Sequence, residues 1–316
     1  MIRNSFSIIT VFCAALATTL LTGAAVDANA QPATPAAKKA KSGFQKVRSA
    51  GTPDLTKDGV PNLLSHGAMV FDPVTGRALY AKNADSPVPI ASITKLMTAM
   101  VVLEGKQNMD EAIVIDSADI DTLKGSHSRL PVGTAFRRED LLRLALMASD
   151  NRAAAALGRT YPGSTPAFVE AMNAKARSIG LQNARFVDPT GLAPTNVASP
   201  QDLALLVSEA STFAQIREYS TTTELQVTLP NSKRSLGFNN TNALVRAQGW
   251  EIGLSKTGFI NEAGKCLVMH ATIANNPVVI VLLDSWGKMT RLGDANRIKK
   301  WLENTRQVAA LTAKNG

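Results

Sequence analysis

Ser92-Ile93-Thr94-Lys95 is the stretch whose residue types and spacing offer chemistry most directly. It follows Pro87 and Pro89 and leads into Leu96, Met97, Ala99, Met100 and Leu103, an apolar run at helical spacing. Proline is tolerated up to the first helical turn and not beyond, so the pattern predicts a helix opening near Ser92. Residues three apart share a helix face, which puts Lys95 beside Ser92. A serine hydroxyl attacks poorly until something takes its proton. Lysine can take it only where its ammonium is disfavoured, by the positive end of a helix, a second cation or burial. The same helix end could stabilise an oxyanion. Taken alone the spacing is weak, since about one match is expected by chance at this length. Ser285-Trp286-Gly287-Lys288 is a second copy; its glycine and the strand-like run before it mark a strand exit. The plain alternative for the first copy is a helix cap at Ser92 with a solvated Lys95.

The elements around this stretch start with an N-terminus that reads as a targeting segment. Arg3 precedes the uncharged apolar run Phe6 to Leu21, and Ala28-Asn29-Ala30 is a small-x-small cleavage site. Residues 1–30 are therefore expected to be a cleaved signal peptide rather than a retained membrane anchor, which implies export to the periplasm. Cys13 lies inside the apolar run, against a lipoprotein. Cys266 is then the one cysteine left, in the strand-like run Lys265 to Met269, and reads as a buried inert thiol. The net charge of +9 suggests, for an exported chain, attraction to anionic lipid or wall polymer rather than to nucleic acid. His66, His127 and His270 are scattered, so a histidine triad has no support. With no zinc signature and no phosphate loop, no metal or cofactor is expected.

With 316 residues, 45% of them hydrophobic and 19% charged, the chain can build one large or two smaller globular domains. Residues 31–62, rich in Ala, Pro, Lys and Gly, read as a basic disordered leader. The folded domain is expected over 63–304, with a tail at 305–316. Ala68 to Phe71 and Arg77 to Lys82 read as a strand pair about the turn Asp72 to Gly76, and Ala112 to Ile115 as a further strand. Helical patterns follow at Arg137 to Ala148, Arg152 to Gly158, Pro166 to Ile179 and Pro200 to Ser211, with an ordered turn at Phe186 to Leu192. Glu224 to Leu229 and Leu236 to Phe238 read as a strand excursion. Trp250 to Phe259, Gly264 to Ile273 and Val278 to Asp284 read as an antiparallel meander, turning at Asn261 to Ala263 and at Asn275 to Pro277. Arg291 to Asn304 reads as a closing helix. This order predicts an α+β fold: an antiparallel sheet made from both chain ends, flanked by helices, with an all-helical subdomain inserted.

Two more polar clusters fall on this scaffold. Ser149-Asp150-Asn151 sits between two helical runs, and Lys256-Thr257-Gly258 lies on the first strand of the meander. In this order and context, the three clusters resemble the motifs of the penicillin-binding proteins and serine β-lactamases, over roughly Leu64 to Asn304. The resemblance implies a β-lactamase/transpeptidase-like fold and an acyl-enzyme on Ser92. It implies Lys95 as the base, Ser149 as proton relay to the leaving amine, and Asn151 as partner of the substrate amide and of Lys95. Lys256 would supply positive potential and keep Lys95 neutral by like-charge repulsion, and Thr257 would bind a substrate carboxylate. Gly258 would let substrate pair along the strand, and the backbone N–H groups of Ser92 and Phe259 would form the oxyanion hole. The substrate implied is the D-Ala-containing stem peptide of peptidoglycan, with β-lactams as mimics and inhibitors.

Within that superfamily, Glu170-Ala171-Met172-Asn173 has the wrong spacing for the deacylating glutamate of class A β-lactamases and lies in a predicted helix. No large extra domain is in evidence. The compact form and the stretch Gly264 to Met269 look most like the D-alanyl-D-alanine endopeptidases of the penicillin-binding protein 7 type, which cut cross-links between stem peptides. No arginine on the strands after Lys256 stands out as a grip for a terminal carboxylate. The alternatives are a D-alanyl-D-alanine carboxypeptidase, a β-lactamase, or a wall-binding protein without turnover.

Overall fold

The computed structural model describes residues 54–229 and 234–315, with side chains as far as residue 305. The expected signal peptide, and the leader as far as residue 53, lie outside the described residues.

The chain opens with the hairpin β1 (Gly67–Asp72) and β2 (Arg77–Lys82). Next come β3 (Val88–Pro89), a 3-10 turn over Ala91–Ile93, and α1 (Thr94–Glu104). The helical block holds β4 (Ala112–Val114), β5 (Ala135–Arg137), α2 (Arg138–Met147), α3 (Asn151–Arg159), α4 (Ser164–Ser178), β6 (Val197–Ala198), α5 (Pro200–Ala210) and α6 (Ala214–Thr221). The excursion β7 (Glu224–Thr228) and β8 (Ser235–Asn239) precedes the meander of β9 (Glu251–Ile260), β10 (Gly264–Ile273) and β11 (Asn276–Ser285), and α7 (Thr290–Asn315) closes the fold. The main sheet has five strands in the order β2-β1-β11-β10-β9, all antiparallel. Both chain ends supply it, as the sequence predicts.

β11 is central and covered on both faces, which is why Val278 to Leu283 can be apolar without a break. Period-two alternation splits it: Val279, Val281 and Leu283 join the core under the helical block, while Val278, Ile280 and Leu282 join the core under α7 with Leu63, Ile298 and Leu302. α1 is buried from Thr94 to Val102, as a helix inside a domain must be. That burial fixes the environment of Lys95.

The structure departs from the sequence reading at several places. Ser92 sits in the 3-10 turn, one residue after Ala91, whose φ of +48° is left-handed. α6 is not among the expected helices: it is only eight residues long, and Ile216 and Tyr219 are its two larger buried side chains. The β10–β11 turn is Ala274-Asn275, both at positive φ (+48° and +60°), so Asn276 and Pro277 already belong to β11. The last part of the expected leader is built into the fold. Leu55 bridges to Pro61, the Asn62 N–H donates to the Asp54 carbonyl at 3.0 Å, and Asp54 pairs with Lys300 of α7 at 2.7 Å. α7 also continues to Asn315, through most of the expected tail. Glu170 to Asn173 lies within α4, and the Asn173 amide is spent on the Phe186 backbone at 2.7 and 3.0 Å.

Candidate active site

The turn carrying Ser92 is held from two sides. β3 pairs with β6, and the Ile90 N–H donates to the Asn196 carbonyl at 3.1 Å. On the other side β9 passes so close that a Cβ on Gly258 would lie 2.9 Å from the Ile90 oxygen and 3.1 Å from the Ser92 nitrogen. Glycine at 258 is thus needed for strand and turn to meet, a reason additional to free access along the strand edge.

Lys95 is wholly buried. Its Nζ lies 2.8 Å from Ser92 Oγ, 2.6 Å from Asn151 Oδ1 and 2.6 Å from the Thr190 carbonyl oxygen. Burial drives its pKa down from 10.5 to about 7, against the opposing pull of Asp188, Asp150 and Asp121. Desolvation is thus the dominant cause of the shift. A neutral amine has two N–H groups and one lone pair. The Asn151 Oδ1 and the Thr190 carbonyl oxygen can only accept, so in the neutral form they take the two hydrogens and leave the lone pair for the Ser92 hydroxyl.

The Thr190 carbonyl is aimed by a loop that the sequence marks only as an ordered turn. Asp188 accepts from the N–H groups of Thr190, Gly191 and Ala193 at 2.6, 2.8 and 3.0 Å, from Thr190 Oγ1 at 2.5 Å and from Asn196 Nδ2 at 2.8 Å. Gly191, at φ +82°, packs against the Ala91 backbone. Beside this loop a cavity of about 390 Å³ opens, lined by Ile120, Leu123, Asn151, Ala155, Pro189 and Thr190 among others.

Ser149, two residues beyond α2, takes the left-handed φ of +58°, and its Oγ accepts from Lys256 Nζ at 2.8 Å. Asp150 turns away to cap α3 through the Ala153 N–H (2.9 Å) and to accept from Ser128 (2.8 Å), while the Asn151 amide nitrogen donates to Ser126 at 2.8 Å. Lys256 is buried too and also donates to the Thr257 carbonyl at 2.9 Å. Burial, then Lys95, then Arg291 hold its pKa well below the ordinary lysine value. Thr257 Oγ1 donates to Thr241 Oγ1 at 2.6 Å. The three sequence clusters therefore converge on one place, with Phe259 next to Gly258 on β9 and largely exposed.

Sequence reasoning missed four contributors. Asp188 and Thr190 act through a loop whose Asx-turn pattern, Asp-Pro-Thr-Gly, was the available signal. Thr241 gives no signal at all. Arg291 does supply a guanidinium after Lys256, but from the first turn of α7 and not from a strand. Its Nη1 donates to the Gly258 carbonyl at 3.5 Å, and its buried Nε has no partner among the described residues. At the far side of the site, Lys124 of the loop after β4 pairs with Glu262 of the β9–β10 turn at 2.5 Å, tying the helical block to the sheet.

Known proteins resemble this chain over most of its length. The family described as D-alanyl-D-alanine carboxypeptidase matches residues 55–287. A D-alanyl-D-alanine endopeptidase of Pseudomonas aeruginosa is 48% identical over 260 residues, covering 81% of this chain and 84% of the relative. One of Escherichia coli is 45% identical over 260 residues, covering 82% and 84%. Among solved structures, the Streptomyces K15 DD-transpeptidase superposes with a TM-score of 0.71 at 31% identity, covering 76% of this chain and 97% of the other.

Proposed function

Because this chain belongs to the D-alanyl-D-alanine carboxypeptidase family of serine peptidases, we propose that it is a D-alanyl-D-alanine endopeptidase that hydrolyses peptidoglycan cross-links through an acyl-enzyme on Ser92. The observation that carries the reading is the placement of Lys95, a buried amine 2.8 Å from Ser92 Oγ with the Asn151 Oδ1 and Thr190 carbonyl oxygens placed to accept its two hydrogens when it is neutral.

Lys95 takes the Ser92 proton as Oγ bonds to the D-alanyl carbonyl carbon. The oxyanion that forms accepts from the N–H groups of Ser92 and Phe259. Collapse breaks the carbon–nitrogen bond, and Ser149, bridged to Lys256, relays the proton taken up by Lys95 to the departing amine, which returns Lys95 to its neutral form. Asn151 keeps Lys95 oriented and offers its amide to the substrate. Water then hydrolyses the ester, with Lys95 again as base. Lys256, Thr257 and Arg291 receive the carboxylate next to the leaving amine. In the free protein, burial and the neighbouring Lys95 and Arg291 disfavour the Lys256 ammonium, and an arriving carboxylate reverses that balance. Strained β-lactam amides enter the same path and stop at the ester. The amino-terminal targeting pattern and the net charge of +9 support action in the periplasm, with peripheral attraction to anionic wall or membrane.

Arg291 also suits a free terminal carboxylate, which makes D-alanyl-D-alanine carboxypeptidase the second reading. Labelling with a fluorescent penicillin should mark the wild type and not Ser92→Ala; equal labelling of both would sink the nucleophile assignment. Purified protein is then given cross-linked muropeptide dimers and uncross-linked pentapeptide monomers. Loss of dimers is the expected result, and release of free D-alanine with dimers intact would establish the carboxypeptidase instead.

A further inference from the structure

In the proposed reaction the departing amine lies between Ser149 and the cations Lys256 and Arg291, so the leaving half of the substrate exits toward Arg291. When the bond cut is a cross-link, that half is an entire second stem peptide. The chain immediately before Arg291 is the four-residue connection Trp286-Gly287-Lys288-Met289 between β11 and α7. Trp286 and Met289 are 81% and 62% exposed, and Phe259, beside Gly258, is 55% exposed. Strand register joins them: Phe259 is paired with Lys265, and Lys265 with Ser285, the residue before Trp286. At strand spacings of about 4.8 Å this row runs from the Gly258 end of β9 to the Trp286 loop in roughly 10 Å.

The loop is anchored. Thr290 Oγ1 donates to the Trp286 carbonyl, and the Met289 carbonyl accepts from Leu292 and Gly293 at 3.1 and 2.9 Å. Ser285 is pinned to Ser65 at 2.7 Å. Aromatic and thioether side chains exposed on an anchored backbone are suited to contact and not to packing. Their charged neighbours are mainly cationic. Lys265 lies 4.2 Å from the Phe259 ring centroid, and Lys288 and Arg291 flank Met289. Of the nearby acids, Asp284 lies beneath Gly264 and Glu262 is paired with Lys124. A stem peptide carries free carboxylates, which complements this surface.

We infer that Trp286 and Met289, with the Phe259–Lys265 pair, form the subsite for the amine-bearing half of a cross-link, the second stem peptide. The inference rests on the endopeptidase reading. A single leaving D-alanine is too small to use this surface, so the subsite contributes to cleavage of cross-links and not to acylation by a β-lactam.

The test compares the full mature chain with Trp286→Ala, Met289→Ala and Trp286→Phe. Two constants are measured for each: kcat/KM on a purified cross-linked muropeptide dimer, and the second-order constant of acylation by benzylpenicillin. Truncating a central aromatic contact costs about tenfold or more in binding. The ratio of the first constant to the second should therefore fall at least tenfold in Trp286→Ala, fall less in Met289→Ala, and be largely retained in Trp286→Phe. A ratio in Trp286→Ala equal to that of the wild type overturns the inference alone. A wild type that is acylated yet leaves dimers intact overturns the endopeptidase reading, and the inference with it. If Trp286→Ala keeps the ratio but no longer co-sediments with vesicles containing phosphatidylglycerol, the surface belongs to lipid and the subsite assignment is wrong.

Discussion

Replacing Gly191 by alanine tests whether the 188–193 loop sets the position of the nucleophile. The added Cβ would fall 2.0 Å from the Ala91 oxygen, 2.4 Å from the Ala91 carbonyl carbon and 2.9 Å from Thr94 Oγ1. Cβ atoms do not approach other heavy atoms closer than 3.0 Å, so either the loop or the Ala91 peptide must yield by about 1 Å. Ala91 is bonded to Ser92, and the loop carries the Thr190 oxygen that orients Lys95, so either response separates the pair. A misplacement of about 1 Å in reacting groups costs on the order of a hundredfold in rate. The left-handed φ of +82° adds about 1–2 kcal/mol for any residue with a Cβ. Gly180→Ala supplies the control, since Gly180 has a similar φ of +78° with no atom within 4 Å of its would-be Cβ. Stopped-flow acylation by a fluorescent penicillin, with thermal unfolding alongside, separates the two costs. Both variants should lose similar stability from the backbone alone, with Gly191→Ala losing more. Only Gly191→Ala should acylate about a hundredfold slower. A folded Gly191→Ala protein that acylates at the wild-type rate would refute the coupling.

Three further outcomes follow from the buried titratable groups. A base with a pKa of about 7 is neutral in about one molecule in ten at pH 6 and nine in ten at pH 8, so penicillin acylation should climb tenfold from pH 5 to pH 6 and level off near pH 8; a flat profile across that range removes Lys95 as the base. Because the folded pKa of Lys95 lies below its unfolded value of 10.5, the unfolded chain holds a proton that the native state lacks at intermediate pH. The stability of wild type relative to Lys95→Met should therefore rise with pH between 7 and 10.5, by up to about 1.4 kcal/mol per unit, in urea titrations at pH 7 and pH 9. An unchanged difference would mean that burial does not shift this amine. Cys266 is buried, and burial pushes its thiol up to about 11, so iodoacetamide at pH 8 should label it only after unfolding; rapid labelling of the native protein contradicts the packing described.

Legibility from sequence followed the physics of each contribution. Period-two and helical apolar patterns reflect burial of one face at a time, so β1, β2, the meander and the long helices could be read directly. α6, with two large apolar anchors in eight residues, could not. Ser92, Lys95, Ser149, Asn151 and Lys256 act through side-chain chemistry and announced themselves by type and spacing. Thr190 acts through a carbonyl that any residue could supply, so only the turn pattern from Asp188 to Gly191 marks the loop and nothing marks the role. Arg291 reaches Gly258 from a different element, a juxtaposition that only the tertiary fold creates. The sequence offered three causes for the Lys95 shift, a helix end, a second cation and burial; their order was hidden, and burial of α1 from Thr94 to Val102 makes desolvation the largest.

The contact between Asp54 and Lys300 has a consequence for how this domain can be re-engineered. Residues almost 250 positions apart in the numbering sit at salt-bridge distance, so a short peptide could join the region near residue 304 to residue 54. New termini could then be opened at the exposed Ala274-Asn275 turn. Such a circular permutant would leave every catalytic contact described above within uninterrupted polypeptide.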